Sequence, residues 1–129
     1  GNINITAGNY FVYFNDVSGE FFFGNTTNNP DAGTPYGQIG LIGDSTPGGW
    51  STDSFMIQNP ANPYKWSLKI ALGAGGAKFR ANGAWTTNWG NTTFPNGIGT
   101  LGGANIAVTP AGNYAVTFNS ATGEYTFTQ

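Results

Sequence analysis

The chain has 129 residues, of which 8% are charged and 16% aromatic, with a formal net charge of −2 and neither Cys nor His. That length suits one domain of ordinary size with its own core. The missing residue types exclude a disulfide framework, thiolate or imidazole metal ligation, and Cys- or His-based catalysis. The slight negative charge argues against nucleic acid as a partner, and no apolar run approaches the roughly 20 residues of a membrane helix.

The first elements in chain order form a hairpin that occurs twice. NINITAGNYFVYFNDVSGEFFF (2–23) returns as NIAVTPAGNYAVTFNSATGEYTF (105–127), with one gap at Pro110 and a spacing of about 103–104 residues. This is too long for a solenoid period and matches a whole β-domain. Two organisations fit. In a tandem array, residues 1–23 are the closing hairpin of a preceding repeat, 24–35 (GNTTNNPDAGTP) a linker, and 36–129 a complete repeat; the rival is one domain with two similar hairpins. In the second copy, alternation puts Tyr114, Val116 and Phe118 on one face, and Gly123 supplies the positive φ of the turn. Glu20 and Glu124 hold equivalent positions after the turn glycine, which marks them as structural. An isolated hairpin is marginal in water. Tyr10, Val12 and Phe14 are therefore expected to be buried, either in a preceding sandwich or in another subunit by strand addition.

Beyond the linker, Gln38–Ile42 reads as a short strand, DSTPGGWSTDS (44–54) as a loop and Phe55–Ile57 as a further short strand. Tyr64 to Leu72 alternates cleanly, with Tyr64, Trp66, Leu68, Ile70 and Leu72 on one face and Lys65, Ser67, Lys69 and Ala71 on the other. After a turn at 73–76, the strand Ala77–Ala81 should point Phe79 inward and Lys78 and Arg80 outward, and the next loop delivers Trp85 and Trp89. No window has helical periodicity. The expected fold is all-β, an antiparallel β-sandwich of immunoglobulin-like character with a partial copy of its closing hairpin at the N-terminus. The Asn-, Thr-, Ser- and Gly-rich composition, with far fewer charges than intracellular proteins carry, points to an extracellular protein. The sequence reads as an excerpt of a longer chain.

The unusual chemistry is concentrated in KFRANGAWTTNWG (78–90), which holds two of the four basic residues and two of the four tryptophans. Sugar rings offer an apolar C–H face to an aromatic ring, and their hydroxyls need Asn, Asp, Lys or Arg partners. Trp85, Trp89, Lys78, Arg80 and Asn88 form such a set, and Trp50 in PGGW is either a further platform or a loop anchor. Plainer readings stand beside these. Trp66 belongs to the core, Lys65 and Lys69 to a solvated strand face, and Arg80 is able to serve as a structural cation–π partner of a Trp. Catalysis finds little material. Glycoside cleavage needs two facing carboxylates, but Glu20 and Glu124 are turn residues, Asp16 lies on the partial copy and Asp31 in the linker. Asp44 and Asp53 flank PGGW in a setting where Asp usually makes turn hydrogen bonds. No multi-acid loop suggests calcium. No enzyme activity, cofactor or metal is expected.

IGDSTPGGW (42–50), the strand around Trp66, KFRANGAWTTNWG (78–90) and AGNYAVTFNSATGEYTF (111–127) occur in an order that resembles the repeated outer domains of the SusE/SusF type. Those are starch-binding, outer-membrane-anchored lipoproteins of Bacteroidetes. The resemblance covers about residues 36–129. It implies a β-sandwich carbohydrate-binding module in which an aromatic arc and nearby Lys or Arg side chains hold α-glucan at the surface. By motif position, Trp85, Trp89, Lys78 and Arg80 match, and Trp50 matches more loosely. The function this implies is a non-catalytic glycan-binding repeat on a bacterial cell surface, associated with the outer membrane, with polysaccharide and neighbouring repeats as partners. The alternative is a structural repeat of an adhesin or extracellular fibre without a sugar site. A binder needs Trp85 or Trp89 exposed, whereas a structural repeat buries both or places them at a domain contact.

Overall fold

The computed structural model describes residues 10–129 apart from 16, 18, 26, 27 and 30–32. Asp16 and Asp31 lie outside the described residues, as does the side chain of Tyr10. Every regular element among them is a strand, so no helix is long and apolar enough to cross a membrane.

Two antiparallel sheets face each other. The first contains β3 (Ile39–Ile42), β4 (Ser54–Phe55), β7 (Gly75–Ala81), β8 (Asn88–Gly90), β10 (Thr100–Leu101) and β11 (Ile106–Val108). Its order is β10-β8-β7-β3-β4, with β11 pairing the first half of β7. The second contains β5 (Ile57–Asn59), β6 (Asn62–Leu72), β9 (Asn96–Ile98), β12 (Gly112–Asn119) and β13 (Glu124–Thr128), in the order β5-β6-β12-β13-β9. This is the all-β antiparallel sandwich expected from the sequence.

The alternation read in YKWSLKIAL decides how the second sheet faces the first. Tyr64, Trp66 and Leu72 are buried, Leu68 and Ile70 pack partly against the core, and Lys65, Ser67, Lys69 and Ala71 are exposed. β12 lies alongside with Phe118 opposite Trp66 and Val116 opposite Leu68, so both strands send their apolar face the same way. Across the interface, the Phe79 ring of β7 stacks on Phe118 with centroids 4.3 Å apart and planes 10° from parallel. Ile39, Leu41, Trp89, Val116 and Tyr125 close around them with almost no exposure. Burying each such side chain contributes about 1.5–3 kcal/mol, enough to order a domain that has no disulfide.

The N-terminal copy of the hairpin is formed, with β1 (Tyr10–Phe14) antiparallel to β2 (Phe21–Asn25) and Phe14 opposite Phe21. In this chain Val12 and Phe14 are 61% and 63% exposed, on the face of the hairpin turned away from the sandwich. The hairpin meets the sandwich by its other face. The Tyr13 ring packs edge-on to Tyr64 at 5.4 Å, its hydroxyl donates to the Ala61 carbonyl at 2.9 Å, and Glu20 accepts from Asn62 Nδ2 at 3.2 Å while pairing with Lys65. Side chains alternate across a strand, so contact through Tyr13 necessarily turns Val12 and Phe14 away. The following stretch is also laid against the sandwich. Asn28 Nδ2 donates to the Thr122 carbonyl, Tyr36 to Asn29 Oδ1, and Tyr64 to the Gly33 carbonyl.

Candidate functional site

The loops 43–53 and 82–87 leave opposite ends of the paired strands β3 and β7, and the first folds back far enough to bring Trp50 against Trp85. The Trp85 loop begins with Asn82 and Gly83, both at positive φ (55° and 64°), and Ala84 N–H donates to the Ala81 carbonyl at 3.2 Å. An Asn-Gly pair is the preferred centre of a type I′ hairpin turn, because both residues tolerate the left-handed region. Ala81 N–H then reaches the Thr87 carbonyl at 2.9 Å, which starts the pairing of β7 with β8 and leaves Trp85 on the projecting tip. Asn88 Nδ2 holds that tip by donating to the Trp85 carbonyl at 2.9 Å.

The Trp50 loop leaves β3 at Gly43 and folds on itself. Thr46 donates to the Gly43 carbonyl through both its N–H (2.9 Å) and its hydroxyl (2.8 Å), and Gly43 N–H donates to the Gly49 carbonyl at 3.1 Å. Gly43 itself cannot carry a side chain, since a Cβ there would stand 2.1 Å from the Gly76 carbonyl oxygen. The result is a tightly bonded support for Trp50.

The two indoles are 39% and 47% exposed, with centroids 6.1 Å apart and planes tilted by 36°. Arg80 stands against the Trp85 ring, its guanidinium carbon 4.8 Å from the centroid. Arg80 Nε in turn donates to Asp53 Oδ1 at 2.7 Å in an ion pair that is nearly sealed from water. The arrangement is a relay of contacts from Asp53 to Arg80 to Trp85 to Trp50. Among the described residues, Nε is the guanidinium nitrogen that has a hydrogen-bond partner.

Asp53 is the member that sequence reasoning missed, because it reads as a turn former. Its reach to Arg80 depends on Gly40, which pairs with Arg80 across β3 and β7 and where a Cβ would come within 2.8 Å of the Asp53 Cβ. A glycine inside a strand marks such a close approach, and it was the available signal.

Three other residues depart from the expectation. Trp89 belongs to β8, not to the loop. It is fully buried between Tyr36 (5.6 Å, edge-on) and Phe118 (5.0 Å), with its indole N–H donating to the Asn28 carbonyl at 2.7 Å. A ring so enclosed cannot be a sugar platform. Lys78 and Arg80 lie on the opposite face of β7 from Phe79 but are covered rather than solvated, each 9% exposed, because the loop 43–53 folds back towards that face. Burial pushes the Lys78 amine below its ordinary range, and Lys78 makes no ion pair among the described residues.

Three of the acids are engaged in structure. Asp44 Oδ1 accepts from Gly76 N–H at 2.7 Å, Asp53 holds Arg80, and Glu20 is held below its ordinary value chiefly by its hydrogen bond to Lys65. No cluster of three or more potential metal-ligating His, Cys, Asp or Glu side chains occurs among the described residues. Concave spaces of about 350 and 580 Å³ lie on the outer face of the second sheet and beside Phe94 and Pro110, and neither is lined by Trp50 or Trp85. The indole pair is an open surface.

Residues 38–126 match the family of SusF/SusE starch-specific CBMs, that is, carbohydrate-binding modules. The chain belongs to that family. No curated protein and no solved structure matches it.

Proposed function

We propose that this member of the starch-specific family holds α-glucan without cleaving it, on the Trp50–Trp85 surface. Arg80 and Lys78 supply charged donors, and Asn88 fixes the Trp85 tip. Trp89 serves by anchoring β8 in the core and makes no ligand contact. The observation that carries the reading is the pair of half-exposed indoles braced from behind by Arg80. A spacer repeat gains nothing from leaving two large rings in water, whereas a sugar-binding surface requires it.

The tilt supports an α-linked chain. Successive rings of an α-1,4-glucan turn along a helix, so two platforms inclined by 36° follow its curve. A flat β-1,4-linked ribbon is better served by coplanar rings. The engagement of Asp53 and Asp44 in structural contacts supports a non-catalytic role, since glycoside hydrolysis requires a carboxyl free to donate its proton. The family and the weakly charged composition support a place on the bacterial cell surface, with outer-membrane association and neighbouring repeats of the same protein as partners.

Titration with maltoheptaose and with cellohexaose, followed through the four indole N–H resonances, tests this. The expected result is movement of Trp50 and Trp85 with the α-glucan only, with Trp66 and Trp89 still. Equal shifts with both sugars, or shifts confined to the second sheet, would overturn it.

A further inference from the structure

The sequence repeat pairs each residue of β1–β2 with one of β12–β13: Val12 with Val116, Phe14 with Phe118, Phe21 with Tyr125 and Phe23 with Phe127. The register is preserved, since Phe14 faces Phe21 as Phe118 faces Tyr125, and Val12 faces Phe23 as Val116 faces Phe127. These four positions fall on one face of each hairpin. In β12–β13 that face is the floor of the core. Phe118 stacks on Phe79, Tyr125 and Phe127 pack around Phe79, and all four side chains are buried. In β1–β2 the same face looks outward, with Val12, Phe14 and Phe21 exposed and Phe23 only part-covered.

The turn is copied as well. Gly19 and Gly123 both have positive φ, and the bond from Gly19 N–H to the Asn15 carbonyl repeats that from Gly123 N–H to the Asn119 carbonyl, each at 2.8 Å. The two hairpins differ on the other face. There Thr117 and Thr126 of β12–β13 share a hydroxyl hydrogen bond, while the matching position Tyr13 packs on Tyr64 and hydrogen-bonds Ala61. The first hairpin thus has one face fitted to this sandwich and one patterned as the core face of another.

We infer that the exposed face of β1–β2 is the closing face of a second sandwich. Its occupant is an apolar antiparallel sheet of the kind formed here by β3, β7 and β8, presenting the equivalents of Leu41, Phe79 and Trp89 from an upstream segment that has no closing hairpin of its own. The hairpin is then shared. Its Val12 face completes the upstream unit and its Tyr13 face docks on residues 61–65 of the downstream one, which fixes two successive units in contact rather than on a free tether. A second copy of this chain is a poor occupant, because its own β12–β13 already covers the sheet. This inference stands apart from the sugar site and does not depend on it.

The test adds a copy of residues 36–104 ahead of the full chain, joined to Asn2, so that β1–β2 stands where β12–β13 stands in the original. The expected result is eight dispersed indole N–H resonances in place of four and a severalfold fall in binding of an apolar fluorescent dye per molecule. Replacing Val12, Phe14 and Phe21 with Thr in that fusion should unfold the added segment while the four original indole signals persist. In the 129-residue chain the same triple replacement should leave the melting temperature within a few degrees and abolish dye binding. An added segment that remains unfolded on the native hairpin would overturn the inference. So would a 129-residue chain that dimerises through this face, or one that melts far lower when the three residues are replaced.

Discussion

Replacing Trp89 with Ala separates the two roles that tryptophan has in this chain. The ring is wholly enclosed, contacts Tyr36 and Phe118, and its N–H is bonded to the Asn28 carbonyl. Truncating a buried Trp costs about 3–5 kcal/mol through lost burial and the cavity left behind. The orphaned Asn28 carbonyl adds roughly 1 kcal/mol unless water reaches it. Against a typical total stability of about 5–15 kcal/mol, this is a large fraction. At about 3–5 °C per kcal/mol for a chain of this size, the melting temperature should fall by about 12–30 °C. Trp85→Ala removes a half-exposed ring and one cation–π contact worth about 0.5–2 kcal/mol, so it should cost no more than about 2 kcal/mol while abolishing glucan binding. Urea unfolding with matched m-values, alongside a glucan-binding assay, measures both. A Trp89→Ala protein within 1 kcal/mol of wild type, or one that keeps its stability and loses only the sugar, would refute the assignment.

Trp66 makes a second contrast. It is buried, but its indole N–H has no hydrogen-bond partner among the described residues, so Trp66→Phe gives up shape but no bond, and should destabilise less than Trp89→Phe under the same urea titration. Asp53→Ala leaves the Arg80 guanidinium nearly buried without its counter-charge. Breaking such a pair from one side costs about 3–5 kcal/mol, and the freed Arg80 should no longer brace Trp85, so indole fluorescence anisotropy and glucan affinity should both fall. Lys78→Met tests the pH dependence. Burial lowers the folded-state amine below its ordinary 10.5, so the unfolded chain binds the proton more readily and the charge penalty is fully present at neutral pH. The penalty is relieved as pH rises through the folded value towards 10.5. The Met variant should therefore melt higher than wild type at pH 7, with the gap closing by pH 10.5; a gap that widens with pH would contradict this.

Particular residues explain how much of the molecule could be read without coordinates. Tyr64 to Leu72 was legible because one face of a central strand meets the core and the other meets water, which writes a period of two into the sequence. Trp89 was not. The strand that carries it has three residues, too few to set a period, so nothing local distinguishes it from the loop before it. Lys78 and Arg80 were placed on the correct face of β7, but alternation reports which way a side chain points and not what folds over it. The outward turn of Val12 and Phe14 is the same kind of case. Their alternation is that of a core-type face, while the contact that decides its orientation comes from Tyr13, Tyr64 and Ala61, nearly fifty residues apart in sequence. Asp53 escaped because an ion pair between a loop acid and a strand cation depends on the space above Gly40.

Affinity electrophoresis through amylopectin tests the central claim most directly, comparing wild type with the Trp50→Ala/Trp85→Ala double variant and with Trp66→Phe as a folded control. The account predicts that amylopectin retards wild type and Trp66→Phe alike, and that the double variant, still folded by its amide spectrum, runs as freely as in a gel without polysaccharide. Undiminished retardation of the double variant would place the starch site elsewhere on the sandwich and contradict the reading given to the paired indoles.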